Sequence, residues 1–128
     1  MAYKVNYKND VVVISFHEHV DGLDVAQLHR DPAFIEGLRQ FDKILYDYSP
    51  ALSLSMAPDD VRAFARLAHI EAQFTPHMHL ILIPQNTEYL ERAEQYRDMV
   101  MSLGWRVDIA NDQNDAFALF ESEHKEFA

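Results

Sequence analysis

His79-Leu80-Ile81-Leu82-Ile83-Pro84 decides the fold. From Leu80 to Ile83 the run is apolar at every position, and a proline stops it. A strand with one wet face would alternate polar and apolar residues, so this one is expected in the interior of a sheet covered by helices on both sides. The segments next to it agree. From Thr87 a long helix is expected, because Tyr89, Ala93, Tyr96, Val100 and Leu103 recur at spacings of four and three, with Glu88 and Arg92 placed to pair on its outer side. Gly104 suits the left-handed position that ends a helix. Trp105 to Ala110 reads as a further strand, and Asn111 or Asp112 as the cap of a last helix that turns Ala116, Leu119 and Phe120 inward.

Upstream, Pro58-Asp59-Asp60 opens a helix to about Gln73. Proline fits the first helical position, the two acids fit the positive end of the macrodipole, and Val61, Phe64, Ala65, Ala68 and Ala72 share one face. Lys43 to Tyr48 is a strand, followed by an irregular stretch to Ala57. Before it, Asp24 caps a short helix with Val25 and Leu28 inward, and Asp31-Pro32 starts a second with Phe34, Ile35 and Leu38 inward. The chain opens with a hairpin, Tyr3 to Tyr7 and Val11 to Phe16 around the turn chemistry of Lys8-Asn9-Asp10. The order is ββαβαβαβα: an α/β domain with a mixed, mostly parallel sheet of about five strands, about four helices, and the first strand antiparallel at an edge.

The 128 residues show no repeat, linker or shift of composition, so residues 1–128 are expected to form a single domain. Hydrophobic residues make up 48% of the chain and charged residues 25%, a balance that supports an ordinary core. There is no cysteine, which removes disulfides, thiolate metal sites and cysteine nucleophiles. The N-terminal residues lack the pattern of a signal peptide and no apolar run is long enough to span a bilayer, so the expected location is the cytoplasm. A formal charge of −10 opposes attraction to phosphate backbones and excludes nucleic acid as an expected partner.

The element order, with Asp31-Pro32-Ala33-Phe34-Ile35-Glu36-Gly37-Leu38 and a strand ending in Asp47, resembles the STAS domain, named for sulfate transporters and anti-sigma factor antagonists, whose fold is called SpoIIAA-like. The resemblance spans nearly the whole chain and implies a non-catalytic regulatory domain that works through protein contacts. In phospho-regulated members an Asp-Ser pair opens the helix after the third strand. Here that region reads Ser53-Leu54-Ser55-Met56-Ala57-Pro58-Asp59-Asp60, without the pair. Pro58 makes Ala57 the cap, and Asp59 and Asp60 would repel a phosphate, so the resemblance does not extend to the phosphoserine switch.

Ligands of open α/β sheets collect at the carboxyl ends of the strands. That edge is expected to hold His19, Asp47, Tyr48, Ser49, Gln85, Asn86 and Asn111, with Ser53 and Ser55 in the adjoining stretch. Leu52, Leu54 and Met56 recur every second residue there, as either a cover for the core or a contact surface for a partner or a second copy of the chain, a homodimer being the commonest such assembly. Besides the interaction domain, two readings remain: a carrier of a small ligand at this edge, and an enzyme built on His19, Asp47 and Ser49. No cofactor is expected. Seven histidines raise the question of a metal, but the pairs His17/His19 and His77/His79 fall at opposite ends of parallel strands, roughly 17–20 Å apart, so they cannot share a site.

Overall fold

The computed structural model describes residues 2–126. Its strands are β1 (Tyr3–Lys8), β2 (Val11–Phe16), β3 (Glu18–Asp21), β4 (Lys43–Asp47), β5 (Ala51–Ser55), β6 (His79–Ile83) and β7 (Arg106–Ile109). The helices are α1 (Gly22–Leu28), α2 (Pro32–Gln40), α3 (Pro58–Glu71), α4 (Leu90–Met101) and α5 (Gln113–Glu126). Five strands form one sheet in the order β1-β2-β4-β6-β7, with β1 antiparallel at the edge and the other pairs parallel. This is the mixed, mostly parallel α/β sheet expected from the sequence. Asn9 and Asp10 both have positive φ, as a two-residue hairpin turn requires.

The both-face-apolar strands divide by alternation. Val12, Ile14, Ile44, Tyr46, Leu80, Leu82 and Val107 belong to a core shared with α1 to α4. Val11, Val13, Leu45, Ile81 and Ile83 belong to a second core closed by Ala116 and Phe120 of α5. One helix therefore covers one face and four cover the other. On the four-helix face α2 lies close to the sheet at Gly37, where an added Cβ would sit 2.8 Å from Val12 Cγ2. Gly104 has φ +88° after α4, the conformation anticipated from its position.

Three local readings are corrected. The stretch between β4 and α3 is not irregular: Ala51–Ser55 is a strand paired in parallel with β3, giving a second, two-stranded sheet. Pairing satisfies backbone groups that a free loop would leave to water. The helix from Thr87 begins as a 3-10 turn, Thr87–Tyr89, capped by Asn86, and becomes α-helical only at Leu90. Arg92 does not pair with Glu88; its Nε donates to the Met56 carbonyl at 3.3 Å.

Candidate functional site

At the carboxyl end of the main sheet the chains leaving β2 and β4 kink and pair again as β3 and β5. The first kink is at Glu18, whose φ of +59° is the left-handed region. The second follows Asp47, which is 2% exposed and fully engaged: its Oδ1 accepts from the Ser49 amide at 3.0 Å and the Ser49 hydroxyl at 2.6 Å, and its Oδ2 from Gln113 Nε2 at 2.8 Å. A buried carboxylate is tolerated when its lone pairs are taken in this way. Tyr48 stacks on Phe16, ring centroids 4.2 Å apart, and its amide donates to the Ile83 carbonyl.

The β3–β5 register contains a bulge. Glu18 pairs with Ala51 and His19 with Ser53, so Leu52 is an extra residue on β5. A bulge resets the alternation of side chains. That is why Leu52 is 73% exposed while Leu54 is 8% exposed and belongs to the core. Met56 is half-buried against the same core. The three apolar residues therefore split between the two roles expected of them. Ser53 and Ser55 are exposed, and Ser53 Oγ is hydrogen-bonded to His19 Nδ1 at 2.6 Å. His19 thus meets Ser53, while Asp47 meets Ser49, and the three residues of the expected catalytic set are not joined in one network.

Three side chains from beyond β6 hold β5 in place. Gln85 Nε2 donates to the Ala51 carbonyl at 2.9 Å, the Tyr89 hydroxyl to the Leu54 carbonyl, and Arg92 Nε to the Met56 carbonyl. Tyr89 and Arg92 form a stripe one helical turn apart, with Gln85 just ahead of the Asn86 cap, and the three meet carbonyls at 51, 54 and 56, along β5 and just past its end. Asn86 Oδ1 accepts from the Tyr89 amide and so shapes the turn that aims this stripe. Asn111 donates its amide to Asp115 Oδ2 in the last helix's first turn, and Asp112 Oδ1 accepts from the Asp115 amide as its cap. At α3, Ala57 is the cap residue and Pro58 the first helical residue, as the sequence implied, with Asp60 Oδ2 accepting from the Ala57 amide at 2.9 Å.

Behind β5, between the sheet, α3 and α4, lies a cavity of about 60 Å³ lined chiefly by apolar and aromatic side chains, Leu54, Met56, Phe64 and Tyr96 among them. Tyr46, Tyr48 and Tyr96 also reach it, and burial holds all three phenols well above their ordinary pKa; the neighbouring phenols and Glu71 add to the shift at Tyr46, as do Glu71 and Tyr48 at Tyr96. Elsewhere Tyr3 is pushed up to about 12 by burial and by its hydrogen bond to Asp31. His29, on the cavity wall, is bonded through Nδ1 to Glu71 Oε1 at 2.5 Å, linking the end of α1 to the end of α3. His29, Glu71 and Gln113 were not singled out from the sequence, and Tyr96 was read only as an inward-facing helix residue. Of the three residues that meet β5, only Gln85 was expected at this edge; Tyr89 was expected on the inner face of its helix and Arg92 beside Glu88.

The expected separation of the histidine pairs holds: His17 follows β2 at its carboxyl end, and His79 begins β6 at its amino end, paired with Asp108 Oδ2 at 2.7 Å. Among the described residues no group of three or more His, Asp or Glu side chains is arranged to hold a metal ion, and no helix is long and apolar enough to cross a membrane.

No family model and no curated protein sequence matches the chain. A solved structure does, described as the anti-sigma factor antagonist SpoIIAA in its unphosphorylated form, at 14% identity and a TM-score of 0.56, covering 94% of this chain and 98% of that one. An overlap that runs through nearly all of both chains while so few residues are shared is a likeness of architecture. Five strands in the order β1-β2-β4-β6-β7, flanked by helices on both faces, therefore give this chain the SpoIIAA-like fold.

Proposed function

We propose that this domain is a non-catalytic regulatory module of the STAS type, acting through protein contacts at the outer side of β5 and working without a phosphoserine switch. The observation that carries the reading is Leu52, a large apolar side chain held 73% exposed by a bulge. It does not sit on a loose loop. Gln85, Tyr89 and Arg92 tie the backbone on either side of it to the body of the domain, so an ordered apolar group is presented to solvent at modest entropic cost on binding. The fold's likeness to an anti-sigma factor antagonist supports the same reading, since an antagonist of this kind is a regulator.

The absence of a switch is argued from the α3 terminus. A phosphate at Ser55 would face Asp59 and Asp60 in the first turn, and like charges there oppose it. Ser53 is already bonded to His19. The decisive experiment places a photo-crosslinking phenylalanine analogue at position 52 in the native host. One discrete adduct, with a second copy of the chain or with another protein, is the expected result, and Leu52→Asp should remove the corresponding association. Failure of position 52 to crosslink above the level of an exposed control such as position 36 overturns the contact surface. Intact-mass measurement of the same material checks the switch, with no phosphorylated species expected at Ser53 or Ser55.

A further inference from the structure

We propose that the cavity behind β5 is a binding site for a small neutral molecule, held by a hydrogen-bond-accepting oxygen that enters among the hydroxyls of Tyr46, Tyr48 and Tyr96. This goes beyond the interaction module and does not depend on it. Tyr46 and Tyr96 are 4% and 9% exposed, and both line the cavity. None of the three phenol oxygens is hydrogen-bonded to another described residue and none is sealed within protein, while all three residues line the cavity. Elsewhere the structure engages its tyrosines: Tyr3 donates to Asp31, Tyr7 to the Ala33 carbonyl and Tyr89 to the Leu54 carbonyl. Three phenol donors with no partner among the described residues, lining one apolar cavity, are free to engage an acceptor that enters it.

Size and charge define the class. About 60 Å³ of room, where one water needs roughly 10–15 Å³, admits a group of a few heavy atoms, and the half-buried Met56 at the margin leaves a way for the remainder. Apart from the phenols the lining is apolar aside from His29 and Arg92. His29 is committed to Glu71 at 2.5 Å, and Arg92 Nε to the Met56 carbonyl. The Glu71 carboxylate, bonded to His29 on the wall, offsets the charge of the Arg92 guanidinium that also lines the cavity, so the surroundings present no net charge to hold an ion. A buried phenol kept protonated is a donor, which selects an acceptor. The ligand class is therefore a neutral carbonyl compound with an apolar body, and neither a carboxylate nor a plain hydrocarbon.

Titration of the full chain with cyclopentanone, cyclopentane and cyclopentanecarboxylate, followed through the tyrosine ring signals by NMR, tests this. Cyclopentanone should bind saturably and shift Tyr46 and Tyr96, with the other two at least about tenfold weaker. Tyr46→Phe and Tyr96→Phe remove one oxygen each and keep the ring, so they should fold, as their melting temperatures will show, and each should weaken cyclopentanone several-fold. Cyclopentane binding as tightly as cyclopentanone, or phenylalanine variants that bind the ketone undiminished, would show the hydroxyls to be irrelevant and overturn the proposal. So would saturation by none of the three probes. Tighter binding of the carboxylate would refute the neutral class.

Discussion

The main sheet and the β3–β5 pair are neighbours made in different ways. Strands β2, β4 and β6 are buried along almost their whole length and are held by apolar side chains on both faces. In β5 only Ala51 and Leu54 are buried, β3 contributes Val20 alone, and the outer carbonyls of β5 and of Met56 are met by Gln85, Tyr89 and Arg92. The first arrangement draws most of its strength from burial, which is non-directional and spread over many contacts. The second is directional: each bond works only where donor and carbonyl coincide. A domain can thus carry a robust core and, on the same strands' continuations, a small ledge whose shape depends on a few specific bonds. That division would suit the contact surface proposed above, which needs a fixed fold beneath it.

The contrast yields a graded set of expectations. The largest effect is alkaline. The Tyr46, Tyr48 and Tyr96 phenols are raised in the folded state, so the unfolded chain ionises first, near pH 10; stability is full below that value and is lost as pH rises through it toward the folded values. Each phenol can then withdraw up to ~1.4 kcal/mol per pH unit, and cooperative unfolding as pH rises above about 10 should appear in circular dichroism. Tyr46→Phe should move that midpoint upward; an unmoved midpoint would mean the phenol ionises without unfolding.

Next comes Leu80→Ala in β6, at the centre of the sheet, where neighbours are fixed on every side. A loss of ~4 kcal/mol in urea unfolding is expected. Leu54→Ala should cost nearer ~2 kcal/mol, because Leu54 already borders a cavity and the ledge can settle. Equal losses at the two sites would erase the distinction between the regions. A smaller effect, ~1–2 kcal/mol, belongs to Tyr89→Phe, which leaves the Leu54 carbonyl without its donor, and hydrogen exchange should quicken in β5 and β3 while β2, β4 and β6 stay protected. Smallest is Leu52→Ser, within ~0.5 kcal/mol of the unmutated chain, since the side chain is already in water. A fall in melting temperature of several degrees would show Leu52 to be core after all.

The legibility of these regions in the sequence differs for the same reason. Leu80-Ile81-Leu82-Ile83, Val11-Val12-Val13-Ile14, Pro58 and Gly104 each announce their place through local chemistry: a strand with no polar face, a preset first helical turn, a residue free to take positive φ. Element order, sheet direction and the opening hairpin follow from such signals, as does the resemblance in architecture. The ledge does not. Ala51 to Ser55 lacks a strand's apolar run, and its pairing with β3 joins residues more than thirty positions apart. The bulge that separates Leu52 from Leu54 exists only in that pairing. Asp47 could be read as a carboxylate at a strand end, but its union with Gln113, 66 residues away, could not, nor could the convergence of Tyr46, Tyr48 and Tyr96 on one cavity. Burial preferences are properties of single residues and short periods, so the chain alone determined the sheet and its helices. Which polar groups meet depends on the distances between elements after packing, and that was decided only by the tertiary structure.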